Sequence, residues 1–348
     1  MMDIAGRKAD HLDLTTHADV GFRRTTLLEC VEFVHDSLPE LDFSELDLGV
    51  DVLGKRLAAP IVIAAMTGGT ERARIINQAL AQVAEELGLG FGLGSQRPML
   101  LEPRAAASYC VRNVAPTALV LGNVGAVQVS QMSTSAVRDM VETIGADALC
   151  IHLNPAMELI QIEGDRDFRG VAARIASLVG ELPFPVVVKE TGSGISGSVA
   201  RRLRAKGVRH VDVSGAGGTS WVAVETERVP LSRRSLGETF REWGIPTAAS
   251  VGLCAREGFD TVIATGGIAS GLDVARAIAL GANVAGIARP ILIAHERGGV
   301  AEVKAYLERV QTELRTAMLL VSARDVAGLR SAARLIHAPL SEWLKASV

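Results

Sequence analysis

The sequence predicts an α/β fold, a closed (β/α)8 or TIM barrel, and three observations carry that prediction. Short runs that are apolar at nearly every position alternate with longer amphipathic stretches from about residue 60 onward. There are eight such runs, the number that closes this kind of cylinder. Nearly every run ends in a polar or glycine-rich segment, where barrel enzymes carry their sites. A doubly wound sheet is the alternative, but eight consecutive units favour closure.

In chain order the runs are "PIVIAAM", "GLGFGLG", "TALVLGNV", "ALCIHLN", "PVVVKET", "VRHVDVSGAG", "DTVIATGG" and "ANVAGIAR". Continuous rather than alternating apolarity suits parallel strands covered on both faces. Helical periodicity fills the intervals. "RARIINQALAQVAEELG" is one such segment, and "GLDVARAIALG" is another, with Gly281 as its capping glycine. Residues 218–260 insert extra chain between strands six and seven, where "WGIPTAAS" reads as a helix start with Pro246 in its first turn. The expected organisation is one domain over 1–348: an N-terminal extension (1–59), the barrel (60–295) and C-terminal helices (296–348) packed outside it.

Composition narrows the function classes. A net charge of −3 over 348 residues leaves no cation excess to neutralise nucleic-acid phosphates. Aromatics at 4% exclude base-stacking platforms. No apolar run approaches the ~18–20 residues of a membrane span, and the polar N-terminus has no signal-peptide pattern. Four scattered cysteines form no CxxC pair, and Cys150, inside an apolar run, reads as a buried free thiol. These features fit a cytoplasmic protein.

The polar strand ends supply the candidate site. Strand one ends in Met66-Thr67-Gly68-Gly69, strand two in Gly94-Ser95-Gln96-Arg97 and strand three in Gly122-Asn123. His152 and Asn154 close strand four, two residues apart and so facing the same way. Lys189 ends strand five, where a buried ammonium needs an anion: a phosphate, an electron-rich ring or a carboxylate such as Glu190. Ser214 to Thr219 follow strand six. "TGGI" (265–268) and "ARP" (288–290) close strands seven and eight, the usual barrel phosphate position. Glu158 and Gln161 share a face of a helical turn after strand four. Arg7, Lys8 and His11 form either a solvated tail or a cationic clamp on a diphosphate.

The segments "RKADH", "MTGG", "GSQR", "HLNP", "EGDRDFRG", "SGAGGTSW", "WGIPTAAS", "TGGI" and "ARP" together resemble the type 2, FMN-dependent isopentenyl diphosphate isomerases. The resemblance spans nearly the whole chain, in order. It implies an isomerase using FMN and Mg2+, with NAD(P)H as flavin reductant, assembled as a tetramer or octamer. Carried over residue by residue, it places FMN on Thr67, Gly68, Gly69, Ser95, Asn123, Lys189, Ser214 and Thr219. The flavin phosphate falls on Gly266, Gly267, Ile268, Ala288 and Arg289. The substrate diphosphate falls on Arg7, Lys8, Ser95, Gln96 and Arg97, with His11, His152 and Asn154 nearby. Glu158 becomes the Mg2+ ligand, and His152, Lys189 and position 157 the catalytic group.

Position 157 departs from the pattern. The resemblance implies Gln-Glu there; this chain has Met157-Glu158. A thioether cannot relay a proton, but it is polarisable and fills irregular apolar space. Ser193 is a second departure, at a place commonly bulkier. An alternative is therefore a divergent relative that isomerises or cyclises geranyl or farnesyl diphosphate. Flavoenzymes that oxidise 2-hydroxy acids share the barrel but place a His where this chain has Ala216. A silent flavin-binding protein is the remaining alternative.

Overall fold

A computed structural model describes residues 4–346. Eight parallel strands close a barrel in the order β7-β8-β1-β2-β3-β4-β5-β6. They are β1 (Ile61–Ile63), β2 (Gly90–Gly92), β3 (Leu119–Gly125), β4 (Ala148–His152), β5 (Val186–Lys189), β6 (His210–Asp212), β7 (Thr261–Ala264) and β8 (Val284–Ile287). The eight expected runs are these eight strands, and most are shorter than the apolar runs. Residues just past several strands, such as Ala64, Ala65, Met66 and Gly94, leave the ladder and line the mouth.

Five helices matter for the site: α1 (Ile4–His17), α2 (Glu71–Leu87), α3 (Pro155–Ile160), α4 (Trp221–Arg228) and α5 (Arg289–Leu319). The first expected barrel helix is α2. The Thr70 hydroxyl accepts from Ala73 N–H at its start, and Gly88 at φ 63° ends it. The second runs from Gly271 to Ala279. Its exit has the paired bonds of a Schellman turn: Gly281 N–H to Ile278 O, and Ala282 N–H to Ala277 O. Gly281, at φ 112°, holds the position that a side chain would strain. Pro246 lies just before its helix (Thr247–Ala255) rather than within the first turn.

The N-terminal extension serves both ends of the barrel. Helix α1 lies at the mouth. The hairpin Val50–Val52/Lys55–Leu57 closes the other end, burying Val52, Leu53 and Leu57 in one cluster with inward-facing Val62, Leu119 and Val284. The tail differs from expectation in one element. Besides helices it contains a strand, Arg334–Ile336, paired antiparallel with Val31–Phe33. Three residues with no apolar alternation of their own become a strand only because a distant partner is delivered to them. Cys150 is buried, and none of the four cysteines forms a disulfide. Among the described residues, no helix is long and apolar enough to cross a membrane.

Candidate functional site

The C-terminal strand ends surround a cavity of about 750 Å3. One wall is cationic. Arg7 and Lys8 on α1 face Arg97 from the β2 loop. Burial and the other two cations pull the Lys8 ammonium down to about 8. Burial and Arg97 likewise lower Arg7. Among the described residues the buried Arg7 Nε has no hydrogen-bond partner, and its Nη1 donates to Gln161 Oε1 at 3.1 Å. Mutually repelling cations, with Arg7 buried and Lys8 and Arg97 half-buried, are arranged for a multiply charged anion.

Glu158 on α3 adjoins this wall, 5% exposed. Its Oε1 accepts from Asn154 Nδ2 at 2.7 Å and its Oε2 from the Asp165 N–H at 2.8 Å. Among the described residues, no three His, Cys, Asp or Glu side chains gather as a metal cage. The donor set therefore fits a cation that takes one carboxylate here and its other oxygens from phosphate and water, as Mg2+ does.

His152 ends β4 with Nδ1 2.9 Å from Asn123 Oδ1. The Asn123 amide nitrogen donates to Leu93 O, which turns its oxygen toward the ring. Nδ1 therefore carries the proton and Nε2 a lone pair. Burial, then Lys189, Lys8 and Arg97, pull His152 down to about 3, so the ring is neutral. Lys189, in register with His152 across the β4–β5 ladder, donates to Glu190 O at 2.7 Å. The Glu190 carboxylate accepts from the Thr191 and Ser193 N–H groups, and burial pushes it up to about 7.

The opposite wall is a glycine cradle. Gly266 and Gly267 have φ 101° and 76°, and an added Cβ would lie 2.1 Å from Gly215 O and 2.4 Å from Thr26 Cγ2 respectively. Among the described residues, the N–H groups of Gly266, Gly267 and Ile268 have no acceptor. Ala288 and Arg289 stand at the start of α5 and line the cavity. Ser214 is held at φ 38°, with its hydroxyl accepting from Gly192 N–H. The Thr67 hydroxyl is buried with no hydrogen-bond partner among the described residues. Orphaned N–H groups, an orphaned hydroxyl and Lys189 fit a ring-bearing phosphate ester such as FMN.

The structure brings most of the expected residues into one cavity wall. Thr67, Ser95, Arg97, Asn123, His152, Asn154, Met157, Glu158, Lys189, Ser214 and Thr219 line it, with Arg7, Lys8 and His11 from α1. Three expected residues lie behind the wall. Gln96 is fully buried; its Oε1 accepts Asn123 N–H and its Nε2 donates to Met140 O, so its amide braces β3. Gly68 packs against the Tyr109 ring, where a Cβ would lie 2.0 Å from Cε1. Gly69 turns at φ 89° and donates its N–H to Ser108 Oγ. These two glycines shape the loop and do not face the cavity. Arg289 lines the cradle, but its guanidinium also donates to Thr15 O and Ala18 O, tying α1 to α5.

Two acids were not anticipated. Glu225, 1% exposed, accepts from His11, Gln161 and Arg228. A four-residue spacing from Trp221 places both on one face of α4, the signal that could have found it. Asp212 ends β6 beside Lys189 and lines the cavity. Met157 lines the cavity and, with Phe22, Trp221 and Ser193, a small pocket beside it. It forms the apolar end of the site.

The barrel and cradle define a flavoprotein of the FMN-binding α/β barrel class, and a family-level pattern described as FMN-dependent dehydrogenase matches residues 156–335. A mandelate oxidase with a monooxide FMN adduct superposes with a TM-score of 0.65 at 19% identity, covering 97% of this chain and all of that one. Mandelate oxidase with (S)-2-phenylpropionate gives 0.64 at 21% identity, over 94% of each chain. At those identities the likeness is one of fold.

The particular family follows from closer relatives. The chain belongs to the isopentenyl-diphosphate delta-isomerase family, an isomerase family. The enzyme of that name from a Synechococcus strain is 47% identical over 93% of this chain and 94% of its own. Those from Methanothermobacter thermautotrophicus (98% and 96% covered) and Halobacterium salinarum (97% and 95%) are each 43% identical.

Proposed function

We propose that this chain converts isopentenyl diphosphate to dimethylallyl diphosphate by an allylic proton shift. The observation that carries this is the pairing of a cationic wall, Arg7, Lys8 and Arg97, with an apolar end formed by Met157, Phe22 and Trp221. A short prenyl diphosphate has that polarity. One proton adds to the terminal alkene carbon and another leaves the neighbouring methylene, so no net electrons move.

Bound in its reduced form, FMN supplies an electron-rich ring and proton-exchanging groups to this chemistry. The protein's own residues do the rest. Arg7, Lys8 and Arg97 hold the diphosphate, and Glu158, oriented by Asn154, takes Mg2+ shared with it. His152 presents an unprotonated Nε2 that takes a proton when the dianionic end arrives. Lys189 balances the flavin's charge. Trp221 and Met157 exclude water, and their polarisable surfaces face the developing tertiary cation. NAD(P)H serves as flavin reductant, and a cytoplasmic homo-oligomer, tetramer or octamer, is the expected form.

The longer-chain alternative is not favoured, since relatives of 41–47% identity carry the C5 isomerase name. The test is anaerobic incubation of FMN-loaded protein with Mg2+, NADPH and isopentenyl, geranyl or farnesyl diphosphate in turn. Dimethylallyl diphosphate formation supports the proposal. A product from a longer substrate with no C5 turnover sinks it.

A further inference from the structure

Asp212 is a buried acid that the chemistry above does not use. It is the Cα partner of Lys189 across the β5–β6 ladder. Partners in a parallel ladder point to the same side of a sheet, and here both line the cavity. Both also border a small apolar recess in the barrel floor, with Cys150, Val62 and Ile263. Asp212 accepts from the Thr265 hydroxyl and from the Ser214 N–H at 3.2 Å, and both bonds fall on Oδ1. Among the described residues, none donates a hydrogen bond to Oδ2.

Glu190, the other buried acid beside Lys189, is placed differently. Its carboxylate is occupied by loop N–H groups, and it does not line the cavity. Asp212 is thus the acid that shares the floor with the Lys189 ammonium. Burial opposes its ionisation, and Lys189 and the Thr265 hydroxyl favour it.

We propose that Asp212 offsets the charge of the Lys189 ammonium beneath the flavin ring, and so sets the flavin's reduction potential. The inference rests on FMN seated over Lys189. A lone ammonium there stabilises the anionic reduced ring. A carboxylate sharing the floor cancels part of that effect and lowers the potential. Thr265 and Ser214 clamp Oδ1, so the carboxylate cannot swing away when the charge above it changes.

The test is the FMN midpoint potential, by anaerobic dye-equilibration titration, of wild type, Asp212→Asn, Lys189→Met and the double variant. Asp212→Asn keeps the shape and the acceptor on Oδ1 and removes the charge. Its potential is expected to rise so that the preference for reduced over oxidised flavin grows about tenfold, ~30 mV for a two-electron couple. The rise should shrink in the Lys189→Met background. No rise, or an equal rise with and without Lys189, overturns the proposal. If Asp212→Asn does not fold, Thr265→Ala carries the test: a smaller upward shift supports it and no shift overturns it. Failure of wild type to bind FMN would instead overturn the flavin seating.

Discussion

His11 Nε2 lies 2.7 Å from Glu225 Oε1, joining α1 to α4 across 214 residues of chain. The His11 ring stands edge-on to Trp221, with centroids 5.2 Å apart. Through this contact the cations of α1 are held over the mouth, and the same carboxylate also receives Gln161 and Arg228.

Glu225→Ala should therefore detach α1 rather than disturb the barrel. Three donors lose their acceptor, and an unmatched buried donor costs roughly 1–3 kcal/mol. The expected outcome is faster limited proteolysis within residues 4–17 and a raised KM for the diphosphate, with FMN affinity retained. Limited proteolysis and steady-state kinetics check it.

His152 links stability to pH. Burial, then Lys189, Lys8 and Arg97, hold it at about 3 in the folded chain, below the ordinary value near 6.5. Below pH 6.5 the unfolded chain binds a proton that the folded chain does not, so this group destabilises the fold progressively down to about pH 3. The slope is at most about 1.4 kcal/mol per pH unit. His152→Gln should flatten that limb in chemical denaturation of the apoprotein. A bound diphosphate should flatten it as well, by raising the histidine's proton affinity.

Lys8 sets an alkaline limit. With its ammonium pulled down to about 8, chiefly by burial, the free protein loses one positive charge of the cationic wall above that pH. The kcat/KM profile, which reports free-enzyme groups, should fall above about pH 8. Lys8→Arg should move the fall upward, because guanidinium stays protonated.

Met157→Gln tests the expectation that an amide belongs at this position. If an amide at this position handles a proton, the variant should gain kcat on isopentenyl diphosphate with KM little changed, measured anaerobically on reduced FMN. An unchanged kcat would assign proton handling entirely to other groups and leave Met157 as packing for the apolar end.

Much of the site was legible because barrel geometry places every strand end at one mouth. Lys189, His152 and Asn123 could be named from that rule alone. Gln96, Gly68 and Gly69 obey the same rule yet face away from the cavity, because side-chain direction in a loop depends on its neighbours. Met140 O and Asn123 N–H capture the Gln96 amide, and Tyr109 and Ser108 occupy the outer side of the two glycines. Glu225 and Asp212 were missed for the converse reason. Each reads as an ordinary acid until tertiary packing buries it beside a cation.

By itself the sequence determined the strand count, the parallel barrel and the glycine-rich strand ends, since periodicity and backbone freedom are local properties. Tertiary structure alone decided the pairing of residues 31–33 with 334–336, the closure of the barrel's far end by the hairpin over 50–57, and the joining of α1 to Glu225. It alone put Asp212 beside Lys189 on the floor. Those contacts join residues far apart in the chain, and their chemistry depends on burial, which a linear pattern encodes only through the whole fold.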